Sequence, residues 1–492
     1  MRCLLLLACL SALLIPATIR PAHGQDADVG TPTVITCPTI DGYHGIWYMN
    51  QKTGDEYRYK YSGGLGTYCA KHLPLAYYAE EVNKTFFTYG GSPPESAEDP
   101  SRHTLLAMVS YYDHATGTVP QPRLLMDKKT TDAHDNPTIM LDDKGYVWLF
   151  VAAHGTARPA YIYKSVEPYA IDRFELILET NFSYPQPWYV PGKGFLFLHT
   201  RYEQGGRSLY QMTSPDGRSW SEPQKLARMQ KGHYQISWHR DGKVGTAFNH
   251  HPEETGLNFR TNLYYMETSD FGQTWTTADG QRLELPLTST DTPALVRDYE
   301  AIDRLVYMKD LTFDESGRPV ILYLTSRHWR PGPEHGPHKY ATARWTGGEW
   351  QISSLLNADN NYDTGCLHIE EGNVWRLIAP TLVGRDATRN PQPYNTGGEM
   401  VMWTSDNAGR TWQPKPLTMN SPYNHSYARK PVHAHPDFYA LWADGHGRQP
   451  SESRLYFADR DGRVFRLPQK MDGPTAKPQL VPLEGGPAAD TN

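Results

Sequence analysis

The sequence predicts an all-β fold: a seven-bladed β-propeller with Asp-box-like turns. Three observations point there. Long amphipathic helical patterns are scarce in the 492 residues. Short alternating or aromatic runs, punctuated by Gly, Asp, Asn and Pro, recur as hairpins roughly 50 to 75 residues apart. Finally, SPDGRSW (Ser214 to Trp220), TSDFGQTW (Thr268 to Trp275) and TSDNAGRTW (Thr404 to Trp412) resemble the Asp-box turn. In such a turn an Asp and a Gly shape a hairpin while the Trp packs between blades. The spacing suits about seven four-stranded blades. The uneven repeat lengths argue against a β-helix, and a β-sandwich array is the remaining alternative.

The hairpins follow in order. HLPLAYYA-EEVNK-TFFTYGG begins at His72 and is followed by HDNPTIMLDDKGYVWLFVAAH, between His134 and His154. There the runs Thr138 to Leu141 and Tyr146 to Ala152 flank an Asp142-Asp143-Lys144-Gly145 turn of the type that joins antiparallel strands. PQPWYV-PGKG-FLFLHTRY, HYQISWH-RDGK-VGTAFNHH, LTF-DESGR-PVILYLTSRH, CLHI-EEGN-VWRLIAPT and HPDFYALWADG continue the series. No Ser/Gly-rich or Pro-rich linker interrupts them, so residues 25–468 read as one domain. Residues 469–492, rich in Pro, Gly and Ala, read as a loosely ordered tail.

Residues 1–24 read as a secretory signal peptide: Arg2, an apolar run to about Ile15, and small residues before Gln25. The run is short for a membrane span and no later segment is long and apolar enough, so a secreted or periplasmic protein without membrane insertion is expected. Cys3 and Cys9 leave with that segment, and a Cys37–Cys69 bridge is open to the remainder. The net charge of −6 gives no basic excess for nucleic acid. Clustered Arg and His still permit an anionic ligand.

Unusual polar side chains fall at the strand ends opposite the turns. Residues equidistant from a hairpin turn lie side by side, so His134 and His154 emerge together, near Asp135, Asn136 and Arg158. Nothing about packing a sheet requires such a pair, which makes it the leading candidate for chemistry. His199, Arg201 and Tyr202, then His233, His250 and His251, then Arg327 and His328 extend the same pattern. Arg218 sits in an Asp-box-like turn, where a solvated Arg is the ordinary reading. Tyr264 and Tyr265 alternate faces, so at least one belongs to the core. Cys366 and His368 share a strand face, and with His335 from the preceding loop they form a candidate structural zinc set; His433 and His435 are a rival pair.

KYSGGLGTYCAKHLPLAYYAEEVNKTFFTYGG, KKTTDAHDNPTIMLDDKGYVWLFVAAHGTARPAYIYKS, LNFRTNLYYMETSDFGQTW and YNHSYARKPVHAHPDFYALWADG together resemble the secreted bacterial seven-bladed propellers that contain the ulvan lyases. The resemblance runs from about Gly42 to Arg466. It implies a polysaccharide lyase acting by β-elimination on a sulfated rhamnose–uronate polysaccharide. By the same resemblance His134 and Tyr202 are catalytic, and His154, Arg218 and Tyr264 bind substrate, with Tyr265 an alternative to Tyr264. Arg218 would neutralise the uronate carboxylate, and Tyr202 and His134 would share the roles of base and acid. No cofactor is implied for catalysis. Related propellers include α-L-rhamnosidases, so a glycoside hydrolase is the rival enzyme and a non-catalytic glycan-binding propeller the third reading.

Overall fold

The computed structural model describes residues 33–68, 71–97, 102–381 and 391–483. The signal segment and Cys69 lie outside them. Seven sheets, each built on four antiparallel strands, succeed one another along the chain. They span Ala76–Asp127, Pro137–Thr180, Ser183–Ala227, Gln235–Arg297, Leu305–Ala358, Cys366–Pro416 and Asn424–Arg466, and are numbered blades 1 to 7. This is the seven-bladed propeller expected from the hairpin repeat. Each strand alternates its side chains across the sheet, and both faces of most strands are apolar because each blade is covered by its neighbours. Trp148, Trp188, Trp275, Trp375 and Trp442 are all fully buried.

The ring is held by segments at both ends of the chain. Val34–Thr36 pairs with the outermost strand of blade 2. The chain then runs along blade 1, where Leu124 N–H donates to the Pro38 carbonyl at 2.9 Å, and reaches blade 7, where Gly45 N–H donates to Ser453 at 2.9 Å. The segment from Gln469, expected to be a loose tail, is built into the sheet structure as far as Val481. Thr475–Ala476 pairs with Val119–Pro120 and Gln479–Val481 extends blade 7. Cys37 is a buried free thiol; its candidate partner Cys69 lies outside the described residues.

The three Asp-box-like segments close tight loops at the outer turns. Asp216 Oδ1 accepts from the backbone N–H of Arg218 and Ser219, at 2.8 and 2.7 Å, and Asn407 Oδ1 accepts from Thr411 N–H at 2.9 Å. Gly217 has φ +72°, and a Cβ there would lie 2.1 Å from the Trp148 ring, so glycine is required on both counts.

Burial keeps many histidines neutral, which makes the fold acid-sensitive. His199 and His233 are pushed down to about 3, and His239 and His338 to about 4, in each case by burial first. In the unfolded chain these groups take up protons below about pH 6.5; in the native fold they do not until pH 3–4. Stability is therefore complete above about pH 6.5 and falls as pH drops towards 4, by at most about 1.4 kcal/mol per pH unit for each histidine. Urea unfolding at pH 7.5 and pH 5 should show a clearly lower midpoint at pH 5; equal midpoints would contradict this.

Candidate active site

The hairpin of blade 2 places the two leading histidines. Pro137–Leu141 and Val147–Val151 pair with Val147 opposite Leu141 and Val151 opposite Pro137. Carrying that register three residues further sets His154 opposite His134. Their rings stack with centroids 3.9 Å apart and planes 17° apart. His134 sits in a 3-10 turn, Ala133–Asp135, capped by Asp132, whose carboxylate accepts the His134 backbone N–H at 3.0 Å. The same carboxylate meets both imidazoles: Oδ1 lies 2.5 Å from His134 Nδ1 and Oδ2 lies 2.6 Å from His154 Nδ1.

Asp132 therefore fixes the proton positions of both rings. Burial alone would raise its carboxyl, but the charge of His134, hydrogen bonds from both histidines and the charge of His154 hold it well below the ordinary range. An ionised carboxylate only accepts, so each Nδ1 carries the proton and each Nε2 keeps a lone pair. Burial pushes His134 below its ordinary value; the Asp132 charge opposes this and His154 adds to it. Tyr68 and Tyr61 hydroxyls lie 3.0 and 3.1 Å from His134 Nε2. The set Asp132, His134 and His154 also falls within metal-ligand reach. Metal bonds of about 2.0–2.1 Å would hold donors some 3.3 Å apart. Contacts of 2.5 and 2.6 Å are hydrogen bonds instead.

Surrounding polar groups lock the turn. Asp135 is fully buried; it accepts from Arg158 Nε and Nη2 at 2.8 and 2.9 Å and from His154 N–H at 2.8 Å. Asn136 donates to the carbonyls of Leu65 and Gly66 at 3.0 and 3.2 Å, tying blade 2 to the segment that precedes blade 1. Gly90 admits that amide: a Cβ there would lie 1.9 Å from Asn136 Oδ1.

A cavity of about 150 Å³ opens beside the histidines. Lys60, Lys71, Arg207 and Arg260 line it with Tyr61, Tyr68, Tyr234 and Tyr362, and no carboxylate is among the described residues lining it. Arg207 and Arg260 each sit 4.6 Å from the Tyr234 ring centre, and Arg260 Nη2 donates to the Tyr362 hydroxyl at 3.1 Å. Arg207 Nη1 and Arg260 Nε are buried without a partner in the protein. Buried donors of this kind cost free energy until a ligand fills them. Burial, then Arg260 and Arg207, push the Lys60 ammonium well below its ordinary value. All of this favours an anion. A larger cavity, about 600 Å³, lies at the opposite face among the hairpin turns, and its wall carries Glu81, Asp142, Asp143 and Asp241. That wall repels anions.

The expected site residues divide accordingly. His134 and His154 line the cationic cavity and Tyr202 stands beside it, its ring 5.7 Å from His154 and its hydroxyl 3.2 Å from that of Tyr184. Arg218 does not reach it. The strand Gly206–Ser214 carries the chain to the far face, and Arg218 there pairs with Glu175 at 2.5 to 2.7 Å. Tyr264 is wholly buried, stacked 5.1 Å from Phe248, with its hydroxyl donating to Thr290 at 3.0 Å; Tyr265 is also core. The cavity's guanidiniums are Arg207 and Arg260. Arg207 was legible, because the Glu203–Gly206 hairpin closure makes it the direct partner of Tyr202. The proposed zinc set is not assembled. Cys366 packs in the core of blades 6 and 7, His368 stacks 3.7 Å from Tyr439 and His335 lies 4.5 Å from His328 in the loop after blade 5's second strand. Among the described residues these three are not within mutual ligand reach.

The model of the BNR repeat-containing family matches residues 102–358, more than half of the chain. The chain belongs to the BNR repeat-containing family. The matched stretch of this BNR repeat-containing chain holds Asp132, His134, His154, Tyr202, Arg207 and Arg260. An ulvan lyase of Nonlabens ulvanivorans is 23% identical over 326 residues, covering 58% of this chain and 65% of that protein, just under two thirds of its length. An ulvan lyase of Alteromonas sp. (strain LOR) is 24% identical over 450 residues, covering 80% and 86%. Among solved structures, a PL25 ulvan lyase bound to -[GlcA(1-4)Rha3S]- superposes with a TM-score of 0.64 at 16% identity, covering 87% of this chain and 96% of that one. At that identity the superposition establishes the shared fold of the BNR repeat-containing protein.

Proposed function

We propose that this protein is a polysaccharide lyase that cleaves a sulfated rhamnose–uronate polysaccharide of the ulvan type by β-elimination at the uronic acid. One observation carries the reading: a cavity lined by two arginines, two lysines and, among the described residues, no carboxylate adjoins an imidazole pair whose Nε2 lone pairs are set by Asp132. The ulvan lyases among its relatives, and the uronate disaccharide bound to one of them, support the substrate class. Export directed by residues 1–24 suits so large a substrate.

The chemistry follows from the charges. The proton on carbon 5 of a uronate is weakly acidic until the adjacent carboxylate is neutralised. Arg207 and Arg260, permanently charged and rich in fixed donors, take the role expected of Arg218. They stabilise the enolate-like charge that builds in the transition state. The imidazole pair accepts the carbon 5 proton, the bond to oxygen 4 breaks, a double bond forms between carbons 4 and 5, and Tyr202 protonates the departing oxygen. Glycoside hydrolysis ordinarily needs two facing carboxylates, and this cavity offers none among its described lining residues.

Ultraviolet absorbance during incubation with ulvan tests the proposal. Elimination creates a conjugated chromophore, hydrolysis yields reducing ends without it, and a binding protein yields neither. Arg218→Ala removes only a half-exposed ion pair, worth about 0–1 kcal/mol. It should keep the rate within about twofold of wild type; a large loss would return Arg218 to the site.

A further inference from the structure

Blade 7 meets blade 1 at the seam that closes the ring. Among the described residues the four main strands of each blade stay in their own sheet, and the segment 475–481 runs from Val119–Pro120 to the edge of blade 7. Val432 bridges the two: its N–H donates to Ala76 at 2.9 Å and its carbonyl accepts from Tyr78 at 3.0 Å. Phe438 stacks on Phe87 with centroids 5.7 Å apart. At the outer end of this seam, on the face opposite the cationic cavity, His114 from blade 1 meets His435 and Asp437 from blade 7. Each offers one donor atom, and these atoms lie within 4.8 Å of one another.

We propose that His114, His435 and Asp437 form a divalent transition-metal site, of zinc type, that staples the last blade to the first. The donor set is right: two imidazoles and a carboxylate leave the fourth tetrahedral position to water. The spacing is right as well. His435 Nδ1 and Asp437 Oδ2 are 3.8 Å apart, too long for a hydrogen bond, so no proton already joins them, and a tetrahedral zinc would draw them in to roughly 3.3 Å. This separates the cluster from Asp132, His134 and His154, whose short contacts are filled by protons.

His114 supplies a second, independent sign. Its Nε2 lies 2.8 Å from the Thr85 hydroxyl, while its Nδ1 is buried with no partner. The two rings approach to 3.9 Å between centroids, which disfavours charging both imidazoles at once. Asp437 N–H donates to His435 Nδ1 at 3.1 Å, and an ion bound at that nitrogen would displace this contact. Asp437 is half exposed, which gives an ion a way in from solvent.

The test uses the full chain, stripped with chelator and titrated with Zn2+ alone, with metal content and unfolding temperature both measured. Wild type should bind one equivalent at the seam and gain roughly 2–5 °C in Tm. Asp437→Asn, which conserves shape at an exposed position, and His435→Ala should each weaken uptake at least tenfold and abolish the gain. Asp132→Asn should keep both, which separates the seam from the cavity. Absence of stoichiometric uptake in wild type, or uptake unchanged in His435→Ala and Asp437→Asn, overturns the site. Uptake without a thermal shift overturns the staple.

Discussion

Asp132→Asn should lower kcat on ulvan by about a thousandfold to ten-thousandfold while leaving the fold intact. Asparagine still caps the turn at Ala133–Asp135, so His134 stays where it is. The loss is chemical. An amide presents one acceptor and one donor where the carboxylate presents two acceptors. The ring facing the donor must carry its proton on Nε2 and loses the lone pair that accepts the carbon 5 proton. The pH profile adds a signature. The base must be neutral, and burial holds His134 below its ordinary value, so the wild-type acidic limb of kcat/KM lies below about pH 6.5. The Asp132 charge is what raises His134 against that burial. Removing it moves the limb to still lower pH while the plateau collapses. An unchanged plateau would remove Asp132 and the imidazole pair from the chemistry.

Arg207→Gln should reduce kcat by about a hundredfold to a thousandfold, with a smaller change in KM. Charge on the uronate group grows as the carbon 5 proton leaves, so the guanidinium matters most in the transition state. A methyl-esterified uronate carries no charge to neutralise, and its cleavage should suffer far less in the same variant. Loss of Arg207 also removes a cation packed 4.9 Å from the Tyr202 ring and 4.6 Å from that of Tyr234. Near-ultraviolet circular dichroism should nevertheless match wild type, because Arg260 keeps its own contact with Tyr234.

Local symmetry made the histidine pair readable. A hairpin register is fixed by its turn, so counting outward from Asp142–Gly145 was enough to bring His134 and His154 together. The seven blades were readable for a related reason, since each repeats the same short-range pattern. Arg218 shows where that reasoning ends. An interval of sequence carried over from a family ignores the strand between: the nine residues of Gly206–Ser214 span about 30 Å, the full height of a blade. Tyr264 misled because an aromatic at the third or fourth position of a strand faces neighbouring blades, not the strand ends. Tyr61, Tyr68 and Lys60 were not legible at all. Lys60 and Tyr61 belong to the hairpin Trp47–Lys52/Tyr59–Gly64 and Tyr68 follows it; the hairpin contributes to no blade and reaches the cavity through contacts distant in sequence. Asp132 was overlooked for the opposite reason, being so near His134 that its span to both imidazoles is visible only in three dimensions.

The central claim is that the cationic cavity beside the Asp132-bridged imidazoles eliminates across a uronate, with Arg207 and not Arg218 meeting the carboxylate. Initial rates of ultraviolet absorbance on ulvan, taken side by side for wild type, Arg207→Gln and Arg218→Ala, test it in one experiment. The expected result is chromophore formation by wild type, a near-wild-type rate for Arg218→Ala and a loss of at least about a hundredfold for Arg207→Gln. No chromophore from wild type, or the reverse ranking of the two arginine variants, would contradict it.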